Sequence, residues 1–158
     1  MASDKIKECS KIIAEKKFTI AFAESATAGW LASEFALVPQ SGDIFLGGIV
    51  CYDRDTKEEL FDIPKETIEK YTAESAEVTQ LLAEGLYKYF KSDIRVGVTG
   101  LISPGGSETP EKPVGTMFVH IIAPGGSHAH REVFNGEPEE IISKTIDRAA
   151  DLISNLIS

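Results

Sequence analysis

The sequence predicts an α/β layered domain with helices on both faces of a mixed sheet. Short β-branched runs alternate with segments of helical apolar spacing, the pattern of strands interleaved with helices. Two late strands flank Pro124-Gly125-Gly126 and read as a hairpin, so the sheet is not purely parallel. At 158 residues, 42% hydrophobic and 26% charged, the chain supports one core. Neither an internal repeat nor a domain boundary is visible across 1–158.

Taken in order, Ile6, Cys9, Ile12 and Ile13 place a helix over Lys5–Lys17, and Phe18–Ala23 follows as a strand. Ser25 and Thr27 both fit the N-cap of a helix over Trp30–Ala36, because their hydroxyls can accept from free N–H groups. Pro39-Gln40-Ser41-Gly42 reads as a loop and Gly47–Tyr52 as the next strand. Asp53 and Asp55 open a short helix whose dipole favours acids in its first turn. Pro64 suits the first position of a helix over Lys65–Tyr71. Ser75 caps the next, which carries Val78, Leu81, Leu82, Leu86, Tyr89 and Phe90. Ile94–Thr99 is a buried strand, Thr116–Ile122 and His128–Phe134 form the hairpin, and Gly136-Glu137-Pro138 opens the last helix.

A net charge of −9 argues against a nucleic-acid backbone as partner, since that recognition relies on clustered Lys and Arg. No run is apolar and long enough for a bilayer, and the polar start does not read as a signal peptide. Cys9 and Cys51 lie in apolar patterns, which favours a reduced, cytoplasmic setting with both as small core residues.

Three places could carry chemistry. The connection from Leu101 to Gly115 is rich in Gly and Pro, which suits either a ligand-binding loop or an ordinary surface excursion. Ser25 falls at the C-terminal end of the first strand, where open α/β sheets bind ligands. There it is either a nucleophile facing a helix start or a plain cap. Tyr52 and Lys57 follow another strand; the lysine is a base only if its pKa is lowered, and otherwise a solvated surface charge. His120, His128 and His130 lack metal-site spacing, and helix-start preference accounts for Asp53 and Asp55 as well as an ion would.

Ala23-Glu24-Ser25-Ala26-Thr27-Ala28-Gly29, then Gly47-Gly48-Ile49-Val50-Cys51-Tyr52 with Lys57, then Val98-Thr99-Gly100 through Pro113-Val114-Gly115-Thr116, resemble the CinA C-terminal domain family. That domain, standing alone, is the PncC-type nicotinamide-nucleotide amidase. The resemblance implies a three-layer α/β/α sandwich with a mixed, mainly parallel sheet, a cytoplasmic homo-oligomer and no cofactor or metal. It implies hydrolysis of nicotinamide mononucleotide, a pyridine nucleotide, to nicotinate mononucleotide and ammonia. By the same resemblance Ser25 is the nucleophile, Lys57 the base and Tyr52 its companion. Thr27 and Gly29 line the oxyanion side, while Thr99, Gly100, Gly105 and Gly106 hold the nucleotide. Longer members add an N-terminal molybdopterin-binding-like domain, whose activity is not expected here.

Several residues depart from the family pattern. Ala26 and Ala28 replace a cysteine and a glycine, Asp53-Arg54 replaces Ser-Asn, and Ser103 replaces a glycine. The Gly-Asp-Arg near the C-terminus becomes Gly136-Glu137-Pro138, which removes a partner for a substrate phosphate. Arg54 or Arg131 is left to compensate. Two alternatives therefore stay open: a catalytically silent nucleotide-binding or regulatory module, and an amidase for a carboxamide without phosphate.

Overall fold

The computed structural model describes residues 2–158. In chain order these form α1 (Asp4–Glu15), β1 (Ile20–Glu24), α2 (Trp30–Ala36), α3 (Ser41–Ile44), β2 (Phe45–Val50) and α4 (Arg54–Phe61). There follow α5 (Lys65–Tyr71), α6 (Ala76–Gly85), β3 (Ile94–Gly100), β4 (Thr116–Ala123), β5 (Gly126–Val133) and α7 (Pro138–Ile157).

The sheet has five strands in the order β2-β1-β3-β4-β5. β1 pairs in parallel with both β2 and β3, whereas the β3–β4 and β4–β5 pairings are antiparallel. Four strands therefore run one way and β4 opposes them, giving the expected mixed sheet with β3 at its centre. Parallel pairing puts the C-terminal ends of β2, β1 and β3 side by side on one edge, so the segments after Val50, Glu24 and Gly100 converge.

Alternation along the strands fills a core on each face of the sheet, two where the sequence suggests one. Phe22, Val96, Val98, Val119 and Ile121 face α1, α2 and α7, where they meet Ile6, Ile13, Phe35, Ile146 and Ile153. Ala23 faces the other way and joins Phe61, Ile63, Ile68, Val78, Leu82 and Leu86 from the α4–α6 side. The result is a three-layer α/β/α sandwich. Gly97 sets how closely α6 lies on the sheet, since a Cβ there would sit 2.6 Å from the Thr79 carbonyl oxygen.

Some boundaries differ from the sequence reading. Ser41 and Gly42 belong to α3, closed by the Asp43 N–H donating to Gln40 O at 2.9 Å. β2 starts at Phe45, opposite Ile20, and Tyr52 lies beyond its end. Pro64 is the N-cap of α5, with extended ψ, rather than its first helical residue. α6 ends at Gly85, where Phe61 packs too closely for a side chain, and a 3₁₀ turn carries Leu86–Lys88. Tyr89 thereby leaves the apolar stripe and packs edge-on against Phe61.

Cys9 and Cys51 are both buried and unbridged. Burial pushes the Cys9 thiol up to about 12 and the Cys51 thiol up to about 11, so both are protonated packing groups at neutral pH.

Candidate active site

Ser25 sits one residue past β1, held by its N–H donating to Val98 O on the neighbouring strand at 2.9 Å. Lys57 projects from the first turns of α4, whose N-cap Asp53 accepts from Asp55 N. The two meet: Lys57 Nζ lies 2.9 Å from Ser25 Oγ. It also donates to the carbonyl oxygens of Cys51 at 2.8 Å and Tyr52 at 3.1 Å.

The solvated alternative for Lys57 is overturned, because the residue is only 1% exposed. No carboxylate forms an ion pair with it among the described residues. Burial holds its amine below the ordinary lysine range, against opposing pulls from Cys51, Glu74 and Asp53. The neighbours also orient the neutral form. Two of the three are carbonyls, which can only accept, so a neutral amine donates its two protons to them. Its lone pair then faces the only partner with a proton to give, Ser25 Oγ.

Ser25, Ala26, Tyr52, Glu74, Gly100 and the loop through Gly105 and Gly106 line a cleft of about 210 Å³. The loop is ordered rather than an open excursion. Leu101 N donates to Thr116 O at 3.0 Å and Gly105 N donates to Glu108 Oε2 at 2.7 Å. Gly115, at φ +98, closes it where a Cβ would strike the Phe134 carbonyl. Lys112 ties it to the α5–α6 connection, donating to Thr72 Oγ1 at 2.6 Å, Glu74 O at 2.9 Å and Ser107 Oγ at 3.0 Å.

The remaining expected residues divide. Gly100, Gly105 and Gly106 reach the cleft; Thr27, Gly29 and Thr99 do not line it. Thr99 Oγ1 is buried 2.8 Å from Thr79 Oγ1, joining β3 to α6. Tyr52 is 60% exposed, and it is its backbone carbonyl, not its phenol, that touches Lys57. Arg54 pairs with Glu58 and Glu69, and Arg131 donates to Glu111 O, so neither replaces the missing arginine within the cleft.

Neither Ser25 nor Thr27 caps α2. Its N-cap is Gly29, at φ 97, with no side-chain cap. The first turn is satisfied by Glu24, which sequence reasoning passed over: its carboxylate accepts from Leu31 N at 2.9 Å, Ala32 N at 3.0 Å and Thr27 Oγ1 at 2.6 Å. Glu24 is 1% exposed and has no cationic partner among the described residues; dipole and hydrogen bonds hold it instead. The free helix N–H groups expected beside Ser25 are thus already used. Ala26, in the turn itself, borders the cleft, and its N–H has no acceptor among the described residues. Glu24→Ala is expected to lower unfolding free energy by about 2–4 kcal/mol, because it strands two buried donors and a part-buried one. Denaturant midpoints will check this, and Glu24→Gln, which keeps one acceptor oxygen, should lose less.

Residues 3–157 match the CinA C-terminal domain family. This chain belongs to that family. A CinA-like protein of Geotalea uraniireducens (strain Rf4) is 39% identical over 132 residues, covering 84% of this chain and 31% of the relative. One from Thermotoga sp. (strain RQ2) is 37% identical over 138 residues, covering 85% of this chain and 33% of the relative. The chain thus spans about a third of the length of the curated relatives it matches. Among solved structures, the competence/damage inducible protein CihA from Agrobacterium tumefaciens superposes with a TM-score of 0.90 at 25% identity, covering 100% of this chain and 99% of that one. A CinA superfamily protein from Klebsiella pneumoniae 700603 does so with a TM-score of 0.91 at 20% identity, covering 98% and 96%. The CinA C-terminal fold accounts for the whole sandwich, and no helix among the described residues is long and apolar enough to cross a membrane.

Proposed function

We propose that this domain is a serine amidase of the nicotinamide-nucleotide type, with Ser25 as nucleophile and Lys57 as its base. The observation that carries the reading is the 2.9 Å contact between Lys57 Nζ and Ser25 Oγ, made by a buried amine that has no counter-ion among the described residues. Neutral Lys57 takes the Ser25 proton as Oγ attacks the carboxamide carbon. Ala26 N–H, free of an acceptor among the described residues, holds the resulting oxyanion. The Lys57 ammonium then protonates the departing nitrogen, so ammonia leaves and an ester to Ser25 remains. Water, deprotonated by Lys57, cleaves that ester, which releases the carboxylate and restores the serine.

A silent binding module predicts a nucleophile and base held apart, which the same contact does not favour. A carboxamide without phosphate keeps one specific support: among the described residues, no Arg or Lys side chain lines the cleft. Purified protein is expected to release ammonia from nicotinamide mononucleotide in equal amount to nicotinate mononucleotide formed. Binding of the nucleotide without ammonia would overturn the amidase reading in favour of the silent module.

A further inference from the structure

Among the described residues the cleft has one charged lining residue, and it is an acid. Glu74 lies just before Ser75, the N-cap of α6, on the wall shared with Ser25, Tyr52 and the Gly105-Gly106 loop. One carboxylate oxygen, Oε2, accepts from Ser107 Oγ at 2.7 Å, which fixes the group against the loop. The other has no hydrogen-bond partner among the described residues and is not sealed from solvent. No ion pair to this carboxylate occurs among the described residues. The nearby Lys112 ammonium attracts this carboxylate through space, but its hydrogen bonds go to Thr72 Oγ1, Ser107 Oγ and the Glu74 backbone carbonyl. Tyr52, 60% exposed, is the one aromatic residue among the described residues that line the same cleft.

A fixed carboxylate and an open aromatic face together suit a flat cation. The first supplies charge and the second a π-face, and both are worth more in a partly desolvated cleft than in water. A neutral ring gains only the apolar contact, and an anion near the nucleophile is repelled. We propose that Glu74 is a specificity-determining residue that makes the cleft select a carboxamide carried on a positively charged aromatic ring, with Tyr52 as its stacking face. This rests on the amidase reading of the same cleft. It goes further by naming which substrate charge is read: the ring cation, with no phosphate required in the cleft.

N1-methylnicotinamide and nicotinamide separate the charge from everything else, since they share the ring and carboxamide and neither has a phosphate. Titration calorimetry on Ser25→Ala protein measures their binding without turnover. The cation is expected to bind about tenfold more tightly, and Glu74→Gln in that background, which keeps the Ser107 contact, is expected to bring the ratio near one. The preference should also shrink as salt rises. Equal affinities, no detectable binding of the cation at millimolar concentration, or a preference that survives Glu74→Gln overturns the proposal. Ammonia release with Ser25 intact is read separately: a Glu74-dependent preference without ammonia would sink the amidase reading while leaving the selectivity in place.

Discussion

Ser25→Ala is expected to reduce ammonia release by at least about 10³-fold while leaving the fold intact. The size follows from what remains. Without Oγ, Lys57 still has its amine and Ala26 its N–H, but water must enter a position that the serine hydroxyl holds 2.9 Å from the base. The stability change should be small, within about 1 kcal/mol, because Lys57 keeps the Cys51 and Tyr52 carbonyls as partners. Ammonia release and thermal unfolding on the same sample check both halves. Unchanged turnover in a folded variant would remove Ser25 from the mechanism, and a large fall in melting temperature would make the loss structural.

The architecture was legible because period and punctuation are local signals. The strand read over Ile94–Thr99, which runs one residue further to Gly100, the Ser75 cap and the Pro138 helix start are each visible within a few residues. Convergence of Ser25 with Lys57 was legible one step further, since neighbouring parallel strands deliver their C-terminal ends to one edge. The burial of Lys57 was not, because it lies in the charged run Arg54-Asp55-Thr56-Lys57-Glu58-Glu59, which reads as a solvated face. Only packing of α4 beside the turn after β1 removes that one side chain from water. Family likeness supplied the residue there, not its environment.

Glu24 and Glu74 show two kinds of miss. Glu24 had a signal, an acid ending the apolar run Ile20-Ala21-Phe22-Ala23, where an unpaired charge demands a partner. The adjacent hydroxyls of Ser25 and Thr27 carry the stronger local cap signal, although a carboxylate satisfies two helix N–H groups at once. Glu74 had none. Its place in the cleft depends on the 101–115 loop folding back onto the α5–α6 connection, through contacts such as Ser107 with Glu74 and Lys112 with Thr72. Those partners are over thirty positions apart, and no periodic pattern encodes them. Thr99 errs in the opposite direction: it matches a family motif, yet its hydroxyl is committed to Thr79 beneath the sheet edge.

Lys57→Met should lower kcat by about 10²–10⁴-fold, the usual range for loss of a positioned base, with Ser25 still present. Methionine keeps much of the stem volume and removes the amine, so the loss reports proton transfer rather than collapse of the packing. The pH dependence makes the assignment sharper. Burial lowers the Lys57 pKa, so the neutral, basic form appears below the ordinary value of about 10.4. Wild-type turnover should therefore rise with pH through that lowered value and then level, and residual turnover in Lys57→Met should lack this limb. Stability gives a check that needs no substrate. Between the folded and unfolded pKa values the unfolded chain binds the extra proton, so wild-type stability rises with pH across that window, and below the folded pKa the full cost of burying the charge is present. Removing the amine removes that cost, so the stability of Lys57→Met relative to wild type should be greatest at low pH and should fall as the window is crossed. A difference that stays flat with pH, together with a wild-type rate lacking the same limb, would mean that Lys57 keeps its charge throughout. It would then be a donor holding Ser25 Oγ in place, and the base would have to be sought elsewhere in the cleft.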